Sequence, residues 1–172
     1  SYYQLRGSAR NISRVLANDG IAVLEQGAGT SRAQLLESFR TNPKSVLMGT
    51  RSFWEGIDVV GPALSVLVLA RLPFSVPDDP IFAARSETFD EPFGEYAIPE
   101  TILRFRQGFG RLIRTKTDRG VVVILDKRVL TKSYGPMFLN SLPECTRARA
   151  PLERLGEATR RWLANDWPRT PA

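Results

Sequence analysis

The stretch SVLVLA, residues 65–70, contains a purely apolar run of five residues, as long as any in the chain, and indicates a buried β-strand. Two similar runs, SVLMG at residues 45–49 and GVVVIL at residues 120–125, are also rich in Val and Leu. Compact runs of this kind are typical of strands that are buried on both faces, as the strands of a parallel sheet are. Together with a shorter strand over residues 21–24, these segments are expected to form the sheet of the protein.

Amphipathic segments alternate with the predicted strands. Residues 8–18 have helical periodicity, and a second helix begins at Ser31 with a capping box, because Gln34 follows three residues later. A third helix is predicted over residues 99–114. Strands that alternate with helices require crossover connections and give a parallel sheet covered by helices. The predicted fold class is therefore α/β.

The third predicted helix has an apolar side and a cationic side. The cationic side contains no acid and carries Arg104, Gln107, Arg111 and Arg114. Gly110 on this side leaves room for another backbone or a ligand. Arginine is the side chain whose planar guanidinium suits phosphate or carboxylate oxygens. This side is either the ordinary solvated face of an amphipathic helix or a surface that binds an anion. The apolar side comprises Ile102, Phe105, Phe109, Leu112 and Ile113.

The composition excludes several classes of active site. The 172 residues include no histidine and one cysteine, Cys145, so the chain cannot build a zinc site, an iron–sulfur cluster or a Ser–His–Asp triad. No apolar run approaches the roughly 20 residues that span a bilayer, and the N-terminus has no signal-peptide pattern. We expect a soluble cytoplasmic protein with no metal site of its own. The net charge of +6 favours an anionic partner such as nucleic acid or nucleotide.

The loop TRSFWEGIDVVG, residues 50–61, follows one of the predicted strands and combines phosphate-type donors with two aromatic rings and two carboxylates. Open parallel sheets bind ligands beyond the carboxyl ends of their strands, so this loop is a candidate site. Alternatively, Phe53 and Trp54 fill the core and Asp58 caps a turn. The glycine-rich stretch QGAGTSR, residues 26–32, fits neither a dinucleotide fingerprint nor a phosphate-binding loop. The chain thus has arginines suited to a nucleotide γ-phosphate but no loop that would cradle the phosphates. This combination indicates that the chain supplies half of a nucleotide site.

Two segments depart from the alternating pattern. Residues 73–99 are rich in proline, acids and aromatic residues with little periodicity, which predicts a long excursion over the surface. Residues 146–172 are basic and have apolar side chains at helical spacing, which predicts a docked helix and a frayed tail. We therefore predict one domain over residues 1–145, followed by a basic C-terminal helix and tail over residues 146–172.

The chain resembles a known family in two motifs. The stretch QGFGRLIR, residues 107–114, fits the pattern Q-x-x-G-R-x-x-R, and SFWEGIDVVG precedes it. In this order they resemble motifs six and five of the DinG/XPD-like DNA helicases of superfamily two, in the second RecA-like motor domain. The resemblance covers roughly residues 1–143 and implies a RecA-like three-layer α/β domain with a mainly parallel sheet. The matched positions are Gln107, Gly110, Arg111 and Arg114 in motif six and Glu55, Gly56 and Asp58 in motif five.

The resemblance also implies a nucleotide site. In this family, ATP with Mg²⁺ binds between two RecA-like domains, and the first domain supplies the phosphate loop and the acids that hold Mg²⁺. By this resemblance Arg114 is the arginine finger, Arg111 reaches the γ-phosphate, and Gln107 lies near that phosphate or its attacking water. The remaining nucleotide-binding positions are Glu55, Gly56, Asp58 and Gly110.

A DNA-contacting surface is the second implication of the resemblance. Thr50, Arg51 and Ser52 are expected to face the backbone of single-stranded DNA, as are Ser1 and Tyr2, which match the end of motif four. A first motor domain, with any iron–sulfur cluster that relatives carry, lies outside this chain, which is expected to begin just after a first strand. The family's 5′-to-3′ polarity and its role in DNA repair are expectations of the same kind, and the chain alone is expected to be inactive.

Two other functions remain open from the residues themselves. A non-catalytic nucleic-acid-binding module would use the basic face and the loop aromatics for phosphate contact and base stacking. A small self-sufficient nucleotide-dependent enzyme is disfavoured because the chain has no phosphate cradle. The first alternative differs from the helicase hypothesis in whether Arg111 and Arg114 bind DNA or ATP.

Overall fold

The computed structural model describes residues 2–50, 53, 64–76, 79–112 and 119–165. The chain divides into two compact units, Ser1–Leu64 and Ser65–Ala172. Each unit contains a two-stranded parallel sheet together with helices, in agreement with the predicted α/β class. Within the described ranges, no helix combines the length and hydropathy that a bilayer crossing requires.

The first unit alternates helices and strands in the predicted order. Its elements are α1 (Tyr2–Leu16), a 3₁₀ turn (Ala17–Asp19), β1 (Ala22–Glu25), α2 (Arg32–Thr41) and β2 (Ser45–Met48). Strands β1 and β2 pair in parallel, with Ala22 opposite Ser45 and Glu25 opposite Met48. Helix α1 begins six residues earlier than the periodicity predicted, at Tyr2 rather than Ser8.

Two local devices shape the first unit. The predicted capping box is confirmed, because Ser31 Oγ accepts from the Gln34 amide at 3.3 Å and Gln34 Oε1 accepts from the Ser31 amide at 3.1 Å. Phe53 is buried, as the core-filling alternative predicted, and a Cβ at Gly49 would lie only 2.8 Å from the Phe53 Cβ. Glycine at position 49 therefore allows the ring of Phe53 to pack against the end of β2.

The second unit is built around strands β3 (Val66–Leu69) and β4 (Val121–Ile124). They pair in parallel, with Val66 opposite Val121 and Leu69 opposite Ile124. Both strands start and end within one residue of their predicted limits. The helices of this unit are α3 (Pro80–Ser86), a π-helix (Phe93–Ala97), α4 (Ile98–Leu112), α5 (Arg128–Thr131), α6 (Gly135–Asn140) and α7 (Leu152–Leu163).

Aromatic side chains form the core of the second unit. Phe105 of α4 and Phe138 of α6 are fully buried and meet edge to face, with ring centroids 5.6 Å apart. Phe74 contacts Phe138 at 5.9 Å and stacks on Phe93 of the π-helix at the same centroid separation. Such pairs contribute about 0.5–1.5 kcal/mol beyond the burial of their area. The cluster holds α4 against the chain that follows β4.

Two sequence predictions about this unit are wrong. Residues 73–99 are not an irregular excursion, because Asp79 caps α3 by accepting from the amides of Ile81 and Phe82, and the π-helix leads directly into α4. The aromatic residues that broke the apparent periodicity are the ones that pack. The strands are also not buried on both faces, since 55% of Val68 is exposed.

Candidate functional site

The C-terminal half of α4 carries the predicted motif-six side chains. Helix α4 buries Thr101, Phe105, Gly108 and Leu112 on one face, and its most exposed side chains lie on the other side. On that other side Gln107 and Gly110 are exposed and Arg111 is half-buried. The structure thus places these three predicted residues on one accessible surface.

Arg104, at the start of this polar surface, is bound to an acid that the sequence prediction did not include. Its guanidinium donates to Glu100 Oε1, one turn earlier, and to Ser75 Oγ. Ser75 in turn donates to Glu100 Oε2 at 3.2 Å. Both charged side chains are about four-fifths buried, so the pair has less solvent screening than a surface ion pair. The expectation of a face without acids is therefore wrong at Arg104, whose charge is neutralised internally.

Arg111 differs from Arg104 in its surroundings. Among the residues that the structure describes, neither Arg111 nor Gln107 makes a hydrogen bond or ion pair through its side chain. A Cβ built at Gly110 would meet no atom of another described part of the chain within 4 Å, so the helix surface between Gln107 and Arg111 is open there. A shallow depression at this point is lined by Leu103, Arg106, Gln107, Phe109, Gly110 and Pro143. The arrangement leaves guanidinium and amide donors available to a ligand.

A partly buried ion pair, in which Asp126 is buried and Arg128 is half-buried, follows β4 at the carboxyl end of the strand. Asp126 accepts from the Arg128 side chain through both carboxylate oxygens, at 2.6–3.0 Å, and from the Leu72 amide at 2.8 Å. The Arg128 hydrogen bonds lower the pKa of Asp126 from 3.8 to about 2, although burial opposes the change. The Arg128 guanidinium also lies 5.2 Å from the centroid of the Phe74 ring. This pair ties the chain after β3 to the chain after β4.

In the first unit, Gln26 joins two of the predicted DNA-contacting residues. Its Nε2 donates to the Tyr2 hydroxyl at 2.9 Å, and its Oε1 accepts from the Thr50 amide at 2.8 Å and from the Thr50 hydroxyl at 3.1 Å. Gln26 follows β1 and Thr50 follows β2, so both lie at the carboxyl edge of the sheet. Sequence reasoning missed Gln26, although its place directly after a strand was a usable signal.

Arg32 fixes the start of the loop after β2. It donates to the Phe53 carbonyl at 2.9 Å, and its guanidinium lies 5.3 Å from the Phe53 ring centroid. The turn before Arg32 requires glycine for its backbone conformation, because Gly27 and Gly29 have φ angles of 87° and 86°.

Several predicted site residues lie outside the described residues, and their roles stay predictions. Within the described ranges, no group of three or more His, Cys, Asp or Glu side chains is placed to hold a metal ion. The predicted site residues outside those ranges are Ser1, Arg51, Ser52, Glu55, Gly56, Asp58 and Arg114.

Comparison with known proteins identifies the family of this chain. Residues 1–145 match the family model described as Helicase C-terminal domain. The chain is 44% identical over 153 residues to the ATP-dependent DNA helicase YoaA of Haemophilus influenzae. The aligned region covers 87% of this chain and 23% of that protein. It is 39% identical over 148 residues to the 3′-5′ exonuclease DinG of Bacillus subtilis, covering 83% of this chain and 16% of that protein.

A third relative is similar over a shorter stretch. The chain is 45% identical over 133 residues to the ATP-dependent DNA helicase YoaA of Escherichia coli, covering 75% of this chain and 21% of that protein. The chain thus spans less than a quarter of the length of these relatives. The predicted α/β RecA-like fold class is confirmed by the family match together with the parallel strands and their helices. The chain belongs to the helicase C-terminal domain family, in the DinG-like group to which these relatives point.

Proposed function

We propose that this chain is the C-terminal motor domain of an ATP-dependent DNA helicase and that it completes an ATP site shared with a first RecA-like domain. The observation that carries the proposal is the accessible Gln107, Gly110 and Arg111 surface on α4. Arg104 is neutralised by Glu100, whereas Arg111 has no acid partner among the described residues. An arginine without an acid on an open helix surface is suited to phosphate oxygens.

The roles of the motif-six side chains follow from the chemistry of phosphoryl transfer. Charge develops on the γ-phosphate oxygens in the transition state, and fixed cationic donors stabilise it. In this proposal Arg114 is the arginine finger, Arg111 binds the same phosphate, and Gln107 orients the attacking water. Motif five supplies Glu55, Gly56 and Asp58 to the nucleotide cleft. Mg²⁺ and the phosphate loop belong to the first domain, as does any iron–sulfur cluster.

Single-stranded DNA is the proposed second ligand. Tyr2 and Thr50 are linked through Gln26 at the carboxyl edge of the first sheet, which supports a common surface for these predicted contacts. Arg51 and Ser52 follow Thr50 in the sequence, and Ser1 precedes Tyr2. Hydroxyl and guanidinium donors bind the phosphate backbone without reading its sequence. We therefore expect contacts to the DNA backbone rather than base-specific recognition.

The open surface at Gly110 gives a test of close approach by the nucleotide or the first domain. In the protein that carries both motor domains, Gly110→Ala is expected to lower ATP turnover by about 10²-fold through misplacement of the reacting groups. The fold should not suffer, because the added methyl meets no atom of another part of the described chain within 4 Å and alanine favours a helix. Steady-state ATP hydrolysis and thermal melting measure the two effects.

Gly7→Ala is the matched control for this substitution. Gly7 is also an exposed helical glycine, with no atom from another described part of the chain within 4 Å of its Cβ position, and it lies in α1. The control should keep parental turnover with unchanged or slightly higher melting temperature. Parental turnover in Gly110→Ala itself would mean that nothing approaches this part of α4 during the reaction.

The affinity of this chain for single-stranded DNA is expected to fall steeply as salt rises. Phosphate contacts release counterions, and each contact contributes about −0.7 to the slope of log affinity against log salt. Arg51→Ala should therefore make the slope shallower by about 0.7. Lys44→Ala is the control, because this exposed lysine precedes β2, whereas Arg51 follows that strand in the sequence. Titration of a labelled oligonucleotide at several salt concentrations tests this, and binding that ignores salt would contradict it.

A further inference from the structure

Helix α7 lies beyond residue 145, outside the part of the chain that matches the family, yet it is joined to the motif-six region. It packs against β4, and the apolar residues Leu152, Leu155 and Leu163 face Val123 and Leu125 across a groove. Its C-terminal end is held by Arg119, two residues before β4 begins. The contact at this end has a geometry that ordinary docking of a helix does not require.

Arg119 makes three contacts with the end of α7. Its Nη2 donates to the Trp162 carbonyl at 2.7 Å, its Nη1 donates to Asn165 Oδ1 at 2.8 Å, and its guanidinium lies 5.1 Å from the centroid of the Trp162 ring. The Trp162 carbonyl also accepts from the Asn165 amide at 3.1 Å, and the last carbonyls of a helix carry the negative end of the helix dipole. A cationic fork placed there caps α7 and is itself oriented by it.

Arg119 is linked through Gly120 to α4, the helix that carries the motif-six residues. Gly120 follows Arg119, and a Cβ at Gly120 would lie 2.5 Å from Leu112 Cγ, so the Leu112 side chain packs against the Gly120 backbone. Leu112 is 5% exposed and is the last residue of α4, next to Arg111. Arg114 follows Leu112 by two positions in the sequence. The Leu112 contact with Gly120 and the Arg119 contacts with α7 therefore connect the end of α7 to Leu112, which directly follows Arg111.

We propose that Arg119 is a positioning residue for ATP hydrolysis, which acts through α7, Gly120 and Leu112 to set where Arg111 of motif six stands. This inference rests on the proposed function of Arg111 and Arg114. It assigns a role in turnover to the C-terminal helix, which does not itself touch the nucleotide in this proposal. A misplacement of reacting groups by about 1 Å can lower turnover by about 10²-fold without loss of substrate affinity.

The test uses the protein that carries both motor domains. Arg119→Ala is expected to lower kcat for DNA-stimulated ATP hydrolysis by about 10²-fold, per folded enzyme, while binding of a non-hydrolysable ATP analogue changes by less than about tenfold. Arg119→Lys should recover only part of the turnover, because an ammonium cannot hold both acceptors in one plane. Asn165→Gly removes one acceptor and tolerates the φ of 63° at this position, so it is the variant to use if Arg119→Ala does not fold.

Arg161→Ala is the matched control, because it removes an exposed arginine from the same helix. A purely structural role for Arg119 would lower the melting temperature and leave kcat of the folded enzyme within about threefold of the parent and of this control. That result would overturn the inference, provided that Arg114→Ala is inactive in the same assay. Near-parental turnover in Arg114→Ala would instead refute the proposed function, and with it the basis for a positioning role.

Discussion

Replacing Arg114 by alanine in the protein that carries both motor domains is expected to lower DNA-stimulated ATP turnover by about 10³–10⁵-fold. Under the proposed function, Arg114 stabilises charge that develops on the γ-phosphate only in the transition state. Binding of a non-hydrolysable ATP analogue should stay within about tenfold, because the phosphate loop of the first domain supplies most of the affinity. Steady-state hydrolysis with saturating single-stranded DNA and equilibrium binding of the analogue measure the two quantities.

Lysine at position 114 should fail as well, since an ammonium cannot reproduce the planar guanidinium. This chain alone should hydrolyse no ATP, because it contributes the arginines without the phosphate loop. Arg85→Ala, at an exposed position of α3, is the control for loss of one positive charge. A correctly folded Arg114→Ala enzyme with near-parental turnover would mean that the motif-six surface binds DNA or only solvent. The non-catalytic nucleic-acid-binding module would then be the better hypothesis.

Asp126→Asn is expected to lower the free energy of unfolding by about 2 kcal/mol at neutral pH, since it removes the buried partner of an ion pair whose Arg128 side chain is 36% exposed and partly screened by solvent. The Asp126 side chain is 6% exposed, and its loss leaves the Arg128 guanidinium with no carboxylate to bind it. Arg128 would also lose the restraint that places it over Phe74, which contacts the aromatic core at Phe138. Urea denaturation measures the effect, and Asp90→Asn, at an exposed position, is the control.

The Asp126–Arg128 pair also predicts how the difference in unfolding free energy between the parent and Asp126→Asn depends on pH. The pKa of Asp126 is about 2 in the folded chain and 3.8 ordinarily, so its charge stabilises the fold fully above about pH 4. This contribution, about 2 kcal/mol, is lost as the pH falls through about 2. The gap between the parent and Asp126→Asn should therefore narrow as the pH falls from about 4 towards 2. A gap that stays constant over this range would show that the carboxylate charge is not what stabilises the fold.

The strands and one helix start could be predicted from sequence because their causes are local. Apolar runs limited the strands to within one or two residues, and the Ser31 and Gln34 pair fixed the start of α2. Residues 73–99 were mispredicted because their ordered structure depends on contacts with residues that are distant in the sequence. Phe93 and Phe74 are stacked on each other, and both meet Tyr134, which no pattern around Pro92 could indicate.

The polar surface of α4 was predicted only in part. Helical periodicity placed Gln107 and Arg111 together correctly, since side chains three and four apart share a face. It missed the neutralisation of Arg104, which needs Glu100 and also Ser75 from another part of the chain. Likewise, the position of Gln26 between Tyr2 and Thr50 depends on how β1 and β2 pair, which a single sequence does not state.

The parallel pairing of β3 and β4 also sets the order in which the second unit can be completed during synthesis. Val66 pairs with Val121, and all of α3, the π-helix and α4 lie between these strands in the chain. At roughly 5–20 residues per second, a ribosome takes several seconds to reach β4 after it has made β3. During that interval the Val-Leu-Val-Leu strand has no β4 to satisfy its backbone groups, and such apolar segments are prone to aggregate. The nascent chain therefore passes through a stage in which chaperone binding at residues 66–69 would protect it.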